Sequence, residues 1–209
     1  MRETVHVKEA GSTDIEQVVD RARAGDRAAF DTLVETYAPR VYNIALRITG
    51  SPDEAQDCAQ EAFLRAYSAL RSFRGEAAFS TWLHRVTVNV ANDAARRMKS
   101  QPVLSSELAP PDPEGPAPDL GDIAQSRSSA DDPDAHLVGG QRRELVLRAI
   151  RSLPEHQRTV IVLYDLQGMS YDQIADILGA KVGTVKSRLN RARLALKERL
   201  EPHLELLRG

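Results

Sequence analysis

Hydrophobic residues recur along this 209-residue chain at intervals of three and four, the period of a helix burying one face, and no run alternates as a half-buried strand would. The pattern predicts an all-α fold of two small helical domains. Residues 1–13 carry no such period and are expected to form a flexible tail. Asp14 can then cap a short segment holding Ile15, Val18, Val19 and Ala22, which Gly25 ends. Asp26 caps a second one with Phe30, Leu33, Val34 and Tyr37. Because Pro39 disfavours helix at the residue before it, a kink or fresh start is expected there, continuing through Val41, Ile44, Ala45 and Ile48 to Gly50.

Ser51-Pro-Asp-Glu54 reads as a capping box with proline at the first helical position. The helix it opens ends near Leu70 and turns Ala55, Cys58, Ala59, Ala62, Phe63, Ala66 and Tyr67 inward. Asp57, Gln60, Glu61 and Leu64 fall on its outer side. An exposed leucine among acids hints at a protein-docking surface, although ordinary solvated polarity explains the same pattern. Asp57 and Glu61 also have the one-turn spacing of carboxylate metal sites, but no Glu-x-x-His pattern supplies partners.

A short connection, residues 72–79, brings Phe73, Arg74, Gly75 and Phe79 before a helix over residues 80–97, where Trp82, Leu83, Val86 and Val90 can be core. Arg85, Asn89, Asn92 and Arg96 follow on it at intervals of four, three and four. That stripe carries only groups able to bond bases or phosphates. It is either a nucleic-acid face or the wet side of a helix, and two asparagines, mediocre helix formers, sharpen the question.

Residues 100–140 differ in kind: seven of the eleven prolines fall there, with eight acids against Arg127 alone. Such a stretch cannot build a core and reads as a flexible acidic linker between a first domain, residues 14–99, and a second, residues 141–209. The second domain opens with Leu145, Val146, Ala149 and Ile150 on one face. Ser152-Leu-Pro-Glu155 reads as another capping box, starting a helix to Gly168.

The next stretch, residues 170–193, reads as a helix, a tight turn and a second, basic helix. Ser170 and Gln173 form a capping box, Ile174, Ala175 and Leu178 an apolar face, and Gly179 a left-handed end. Val185, Leu189, Ala192 and Leu196 make one buried stripe on the second helix. Its remaining faces carry Lys181, Lys186, Arg188, Arg191, Arg193, Lys197 and Arg199 against Glu198 alone, the footprint of a helix laid in a DNA groove.

The net charge of −2 conceals this division. Thirteen bases and eight acids give residues 141–209 a charge of +5, the acidic stretch holds −7, and residues 1–99 balance. Clustered positive charge is what the phosphate backbone senses. Cys58 is the only cysteine, so an internal disulfide is excluded, and His6, His84, His136, His156 and His203 are too scattered for a metal cluster. No apolar signal core or membrane span is visible, and a cytoplasmic protein is expected.

Two motif sets now carry a resemblance. Leu153-Pro-Glu-His-Gln-Arg-Thr-Val-Ile-Val-Leu, Gly168-Met-Ser-Tyr-Asp-Gln-Ile-Ala and Val182-Gly-Thr-Val-Lys-Ser-Arg-Leu-Asn-Arg-Ala-Arg193 resemble region 4 of bacterial extracytoplasmic-function (ECF, group 4) RNA polymerase sigma factors of the sigma-70 family. Asp57-Cys-Ala-Gln-Glu-Ala-Phe-Leu-Arg-Ala-Tyr67 resembles region 2.2, and residues 73–92 resemble regions 2.3 and 2.4.

The resemblance implies a promoter-specificity subunit, not an enzyme, with no cofactor, catalytic residue or metal. Asp57, Gln60, Glu61 and Leu64 would dock on the β′ clamp coiled coil of core RNA polymerase, and the second domain on the β flap. Phe73, Arg74, Gly75 and Phe79, with Arg85, Asn89, Asn92 and Arg96, would engage the minus-10 element. Thr184, Lys186, Ser187, Arg188, Asn190 and Arg191 would read the minus-35 element. It further implies control by an anti-sigma factor, frequently membrane-anchored, in a stress or envelope response, without membrane insertion of this chain. Cys58 departs from the usual aliphatic residue, Asn190 occupies a variable recognition position, and the linker is long for the family. The rival readings are a free-standing helix-turn-helix regulator, a sigma-like decoy for an anti-sigma protein, and a carboxylate metalloenzyme.

Overall fold

A computed structural model describes residues 10–100 and 133–204. The flexible tail and the flexible acidic linker expected from composition lie largely outside the described residues. Eight α-helices make up the described fold, with no strand among the described residues. The first group is α1 (Ala10–Arg23), α2 (Arg27–Thr49), α3 (Pro52–Ala69) and α4 (Phe79–Ser100); a 3-10 turn, Leu70–Ser72, follows α3. The second group is α5 (Pro133–Ser152), α6 (Glu155–Ile161), α7 (Tyr171–Leu178) and α8 (Val182–Leu200), with a π-helical turn at Val162–Leu166.

Local chemistry sets most boundaries. Asp26 caps α2 by accepting from Ala29 N at 3.1 Å. Gly50 ends that helix in the left-handed region, φ 80°, and a side chain there would also collide with Arg151 of α5. Ser51 caps α3 through Glu54 N at 3.3 Å, with Pro52 at its first position. Proline costs nothing there because that N–H has no helical partner.

Several expectations fail in instructive ways. α2 runs unbroken through Pro39. Pro39 and Glu35, whose carbonyl loses its bond, lie on the exposed side where water substitutes, while Leu33, Val41, Ile44 and Ile48 are fully buried and hold both halves to the core. α1 begins at Ala10, so Asp14 lies inside it and does not cap it. α5 begins at Pro133, ahead of Gln141, with that proline again at a first helical position. Ser152 does not cap α6: it still belongs to α5, and its hydroxyl donates back to Ala149 O at 2.8 Å, leaving Pro154 as a cap without a side-chain bond. The single helix expected up to Gly168 changes to π geometry at Val162. Tyr67, expected inside, is half exposed, its ring lying edge-on to Phe30 at 4.8 Å.

α2, α3 and α4 pack as a three-helix bundle, with α1 across α2. One apolar cluster within it contains Phe30, Leu33, Leu70, Phe73, Phe79 and Leu83. The other contains Ile44, Ile48, Val88 and Ala91 from the first group, and continues through Ile150, Leu153, Ile161, Ile174, Val185 and Leu189 of the second. The two helical groups therefore share a core, and α4 lies against α7.

Candidate nucleic-acid and partner interfaces

The helix-turn-helix is built from reciprocal caps. Ser170 Oγ accepts from Gln173 N at 3.2 Å, and Gln173 Oε1 accepts from Ser170 N at 3.0 Å. Gly179 turns the chain at φ 59°, and Ala180 N closes on Ala175 O at 2.9 Å. α8 buries Val185, Leu189 and Ala192, which fixes its rotation. Lys186, Ser187, Asn190 and Arg191 are consequently exposed, and Thr184 and Arg188 half-buried. The six minus-35 candidates therefore lie outside the buried stripe of one helix.

A feature absent from the sequence reading flanks α8. Tyr164 and Tyr171 stack at 4.7 Å with planes 23° apart. Lys186 Nζ sits 5.3 Å from the Tyr171 centroid, and Arg193 Cζ 5.2 Å from that of Tyr164. Arg193 also donates through Nε to Asp165 Oδ2 at 3.2 Å and through a terminal nitrogen to Oδ1. The hydrogen bonds to Asp165 hold the Arg193 guanidinium more firmly protonated than usual. The periodicity of two tyrosines separated by a turn carries no sign of this stack.

The polar stripe on α4 is largely met by the second helical group. Arg85 donates through Nε to Ile177 O at 3.2 Å and through a terminal nitrogen to Asp176 O, a cation at the negative end of α7. Asn92, only 7% exposed, donates to Thr159 Oγ1 at 3.2 Å, and that hydroxyl in turn bonds Glu155 O at 2.9 Å. Arg96 pairs with Glu155 at 3.0 Å and Asp93 at 2.7 Å. Asn89 remains exposed and lines, with Arg188, a cleft of about 330 Å³ between the two groups. A further interdomain bond runs from Arg40 to Gln167 O at 2.8 Å. Sequence reasoning located the stripe but missed Thr159, Glu155 and Arg40.

Of the loop candidates, Arg74 and Gly75 are exposed, with Gly75 at φ 73°. Phe73 and Phe79 are buried instead, edge-on to each other at 6.0 Å and packed on Trp82 at 5.1 and 5.7 Å. Cavities of about 620 and 420 Å³ open beside the loop, and both reach Gly75 and Phe73. The loop thus offers backbone and Arg74 to a ligand, with the aromatic pair as its floor.

On α3, Asp57 and Gln60 are exposed, Leu64 is 63% exposed, and Glu61 pairs with Arg65 at 2.6 Å. Asp57 and Glu61 line a groove of about 510 Å³, whose far wall holds Asp93, Arg97 and Met98 of α4. Cys58 is buried there, and burial pushes its thiol up, reinforced by the Glu54 charge. Among the described residues no group of three His, Cys, Asp or Glu could hold a metal ion. No described helix is long and apolar enough to cross a membrane.

Comparison with known proteins matches these two helical groups in order. Residues 33–101 match the family Sigma-70 region 2, and residues 143–196 match Sigma-70, region 4. The chain is 37% identical to the RNA polymerase sigma-H factor of Pseudomonas aeruginosa over 90% of its length and 95% of that protein. It is 38% identical to the ECF RNA polymerase sigma-E factor of Escherichia coli, covering 88% and 93%. Among solved structures it is similar to CnrH in complex with the cytosolic domain of CnrY, with a TM-score of 0.62, 24% identity and coverage of 88% and 96%. It is also similar to the sigma factor RpoE in complex with the anti-sigma factor NepR from Bartonella quintana, with a TM-score of 0.57, 25% identity and coverage of 82% and 96%. The chain belongs to the sigma-70 family of RNA polymerase sigma factors, in its ECF group.

Proposed function

We propose that the protein binds core RNA polymerase and directs it to a subset of promoters, as a non-enzymatic initiation factor acting in the cytoplasm. The observation that carries the reading is a basic α8, rotationally fixed by Val185, Leu189 and Ala192, in a chain related over most of its length to RNA polymerase sigma factors. Thr184, Lys186, Ser187, Arg188, Asn190 and Arg191 would engage the minus-35 element, arginine suiting guanine edges and asparagine adenine while the rest anchor phosphates. The loop around Arg74 and Gly75, with Phe73 and Phe79 beneath it, would hold an unstacked minus-10 base, and Arg85, Asn89, Asn92 and Arg96 the adjoining strand. The α3 surface of Asp57, Gln60, Glu61 and Leu64 would dock on the β′ clamp coiled coil, and the second domain on the β flap.

Asn92 is buried against Thr159 of the second helical group, so no base can reach its amide in this arrangement. Promoter engagement by the α4 stripe therefore requires the second domain to leave it. An anti-sigma factor is the expected regulator, supported by the likeness to RpoE solved with NepR. Run-off transcription from a promoter library with core polymerase tests the reading. Initiation should depend on the protein and fall with Lys186→Ala and Arg188→Ala. Core binding without initiation would replace it with the decoy, and no core binding with a free-standing regulator.

A further inference from the structure

Resting on the reading that α8 enters DNA, we propose that the Tyr164–Tyr171 stack is a positioning platform, presetting Lys186 against a backbone phosphate and leaving Arg193 outside the DNA contact. Tyr164 lies in the π turn and Tyr171 opens α7, so the stack ties two elements to one flank of α8. Lys186 and Arg193, two helical turns apart, stand on that flank beside the buried Val185 and Ala192.

The two cations are held differently. Arg193 lies over Tyr164 with both Asp165 oxygens on its guanidinium, so its charge is already met within the protein. Lys186 lies over the face of Tyr171. A ring face attracts an ammonium without neutralising it, so Lys186 is steered while its charge stays available.

Its place follows from helix-turn-helix docking. The first helix crosses the sugar-phosphate backbone while the second enters the groove. Tyr171 is the first residue of the first helix, and the cation resting on it stands at the groove wall rather than over base edges. Lysine, a point charge on a long stem, suits a phosphate there. Holding that stem before DNA arrives removes ordering cost from the binding step.

The test is the salt dependence of the full-length protein's affinity for a duplex that it selects, with core polymerase, from a randomised pool. Between about 50 and about 200 mM salt, Lys186→Gln should make the slope of log affinity against log salt shallower by about 0.9, one phosphate contact. Arg193→Gln should leave the slope unchanged. Tyr171→Leu should weaken binding about threefold, Tyr171→Phe should restore it, and Tyr171→Leu should add nothing once Lys186 is already replaced.

A slope reduced as much by Arg193→Gln as by Lys186→Gln overturns the platform. So does a Tyr171→Leu penalty that persists without Lys186. The Lys186 and Arg193 comparison leaves both tyrosines intact, so it decides the matter even where Tyr171→Leu fails to fold. An unchanged slope in Lys186→Gln with affinity and sequence preference lost in Arg188→Gln overturns the platform alone. An unchanged slope in Lys186→Gln with unchanged affinity and sequence preference in Arg188→Gln overturns the DNA reading of α8 and the platform with it.

Discussion

Asn92 on α4 donates its side-chain amide to the Thr159 hydroxyl on α6 at 3.2 Å, a bond between two buried groups 67 residues apart that belong to different sigma regions. Removing the hydroxyl strands the amide. Thr159→Val should lower stability by about 1–3 kcal/mol, the cost of an unsatisfied buried group. Adding Asn92→Ala should cost less than the two single changes summed, because the stranded amide goes with it. Urea unfolding of the two single variants and the double variant measures the difference, and strict additivity would mean the bond contributes nothing.

His84 is an acid-sensitive point of the first helical group. It is 4% exposed, its Nε2 has no partner, and burial, helped by the Arg40 charge, lowers its pKa to about 4. The unfolded chain binds the proton more readily, so stability is complete above the ordinary value of 6.5 and falls as pH drops toward 4. The loss across that window is about 3 kcal/mol. His84→Leu should remove this slope relative to the parent, as denaturation between the two pH values would register. Equal slopes in both proteins would place the acid sensitivity elsewhere.

Leu64 separates docking from folding. At 63% exposure it contributes little to the core, so Leu64→Ala should change stability by less than about 0.5 kcal/mol. As an apolar anchor on the α3 surface proposed for core polymerase, it should weaken that complex about tenfold. Melting and core-binding titration of the same variant check both parts, and unchanged affinity would remove Leu64 from the docking surface.

Two turn positions give local costs. Ser170→Ala removes one arm of the α7 capping box and should cost about 1 kcal/mol. Gly50→Ala puts a Cβ in the left-handed region and against the Arg151 side chain, and should cost about 1–2 kcal/mol, the flexible arginine yielding more readily than the backbone. Thermal unfolding of each variant reads these directly.

What was legible in the sequence was what short stretches determine. The Ser170–Gln173 box, the Gly179 reversal and the Val185, Leu189 and Ala192 stripe all depend on neighbours within a turn or two, and the structure has them as expected. Pro39 was misread because a local rule was applied where two buried faces override it. The α4 stripe was visible as a period, but periodicity says which side of a helix is polar, not what lies across from it. Thr159, Glu155 and the carbonyls at the end of α7 come from beyond a long acidic stretch. The tyrosine stack was hidden for a related reason: the π turn sets where Tyr164 faces, and nothing in the spacing announces a π turn.

The apolar cluster that runs from Ile44 and Val88 into Ile150, Leu153 and Ile174 gives separation of the two regions a thermal character. Parting them hydrates hydrocarbon, which raises heat capacity and bends the separation free energy with temperature. Apolar contacts weaken on cooling while the bonds of Arg85 and Asn92 have no such dependence built in. The joint is thus sensitive to cold through its hydrocarbon and to salt through the Arg96–Glu155 pair, two independent physical handles on one surface.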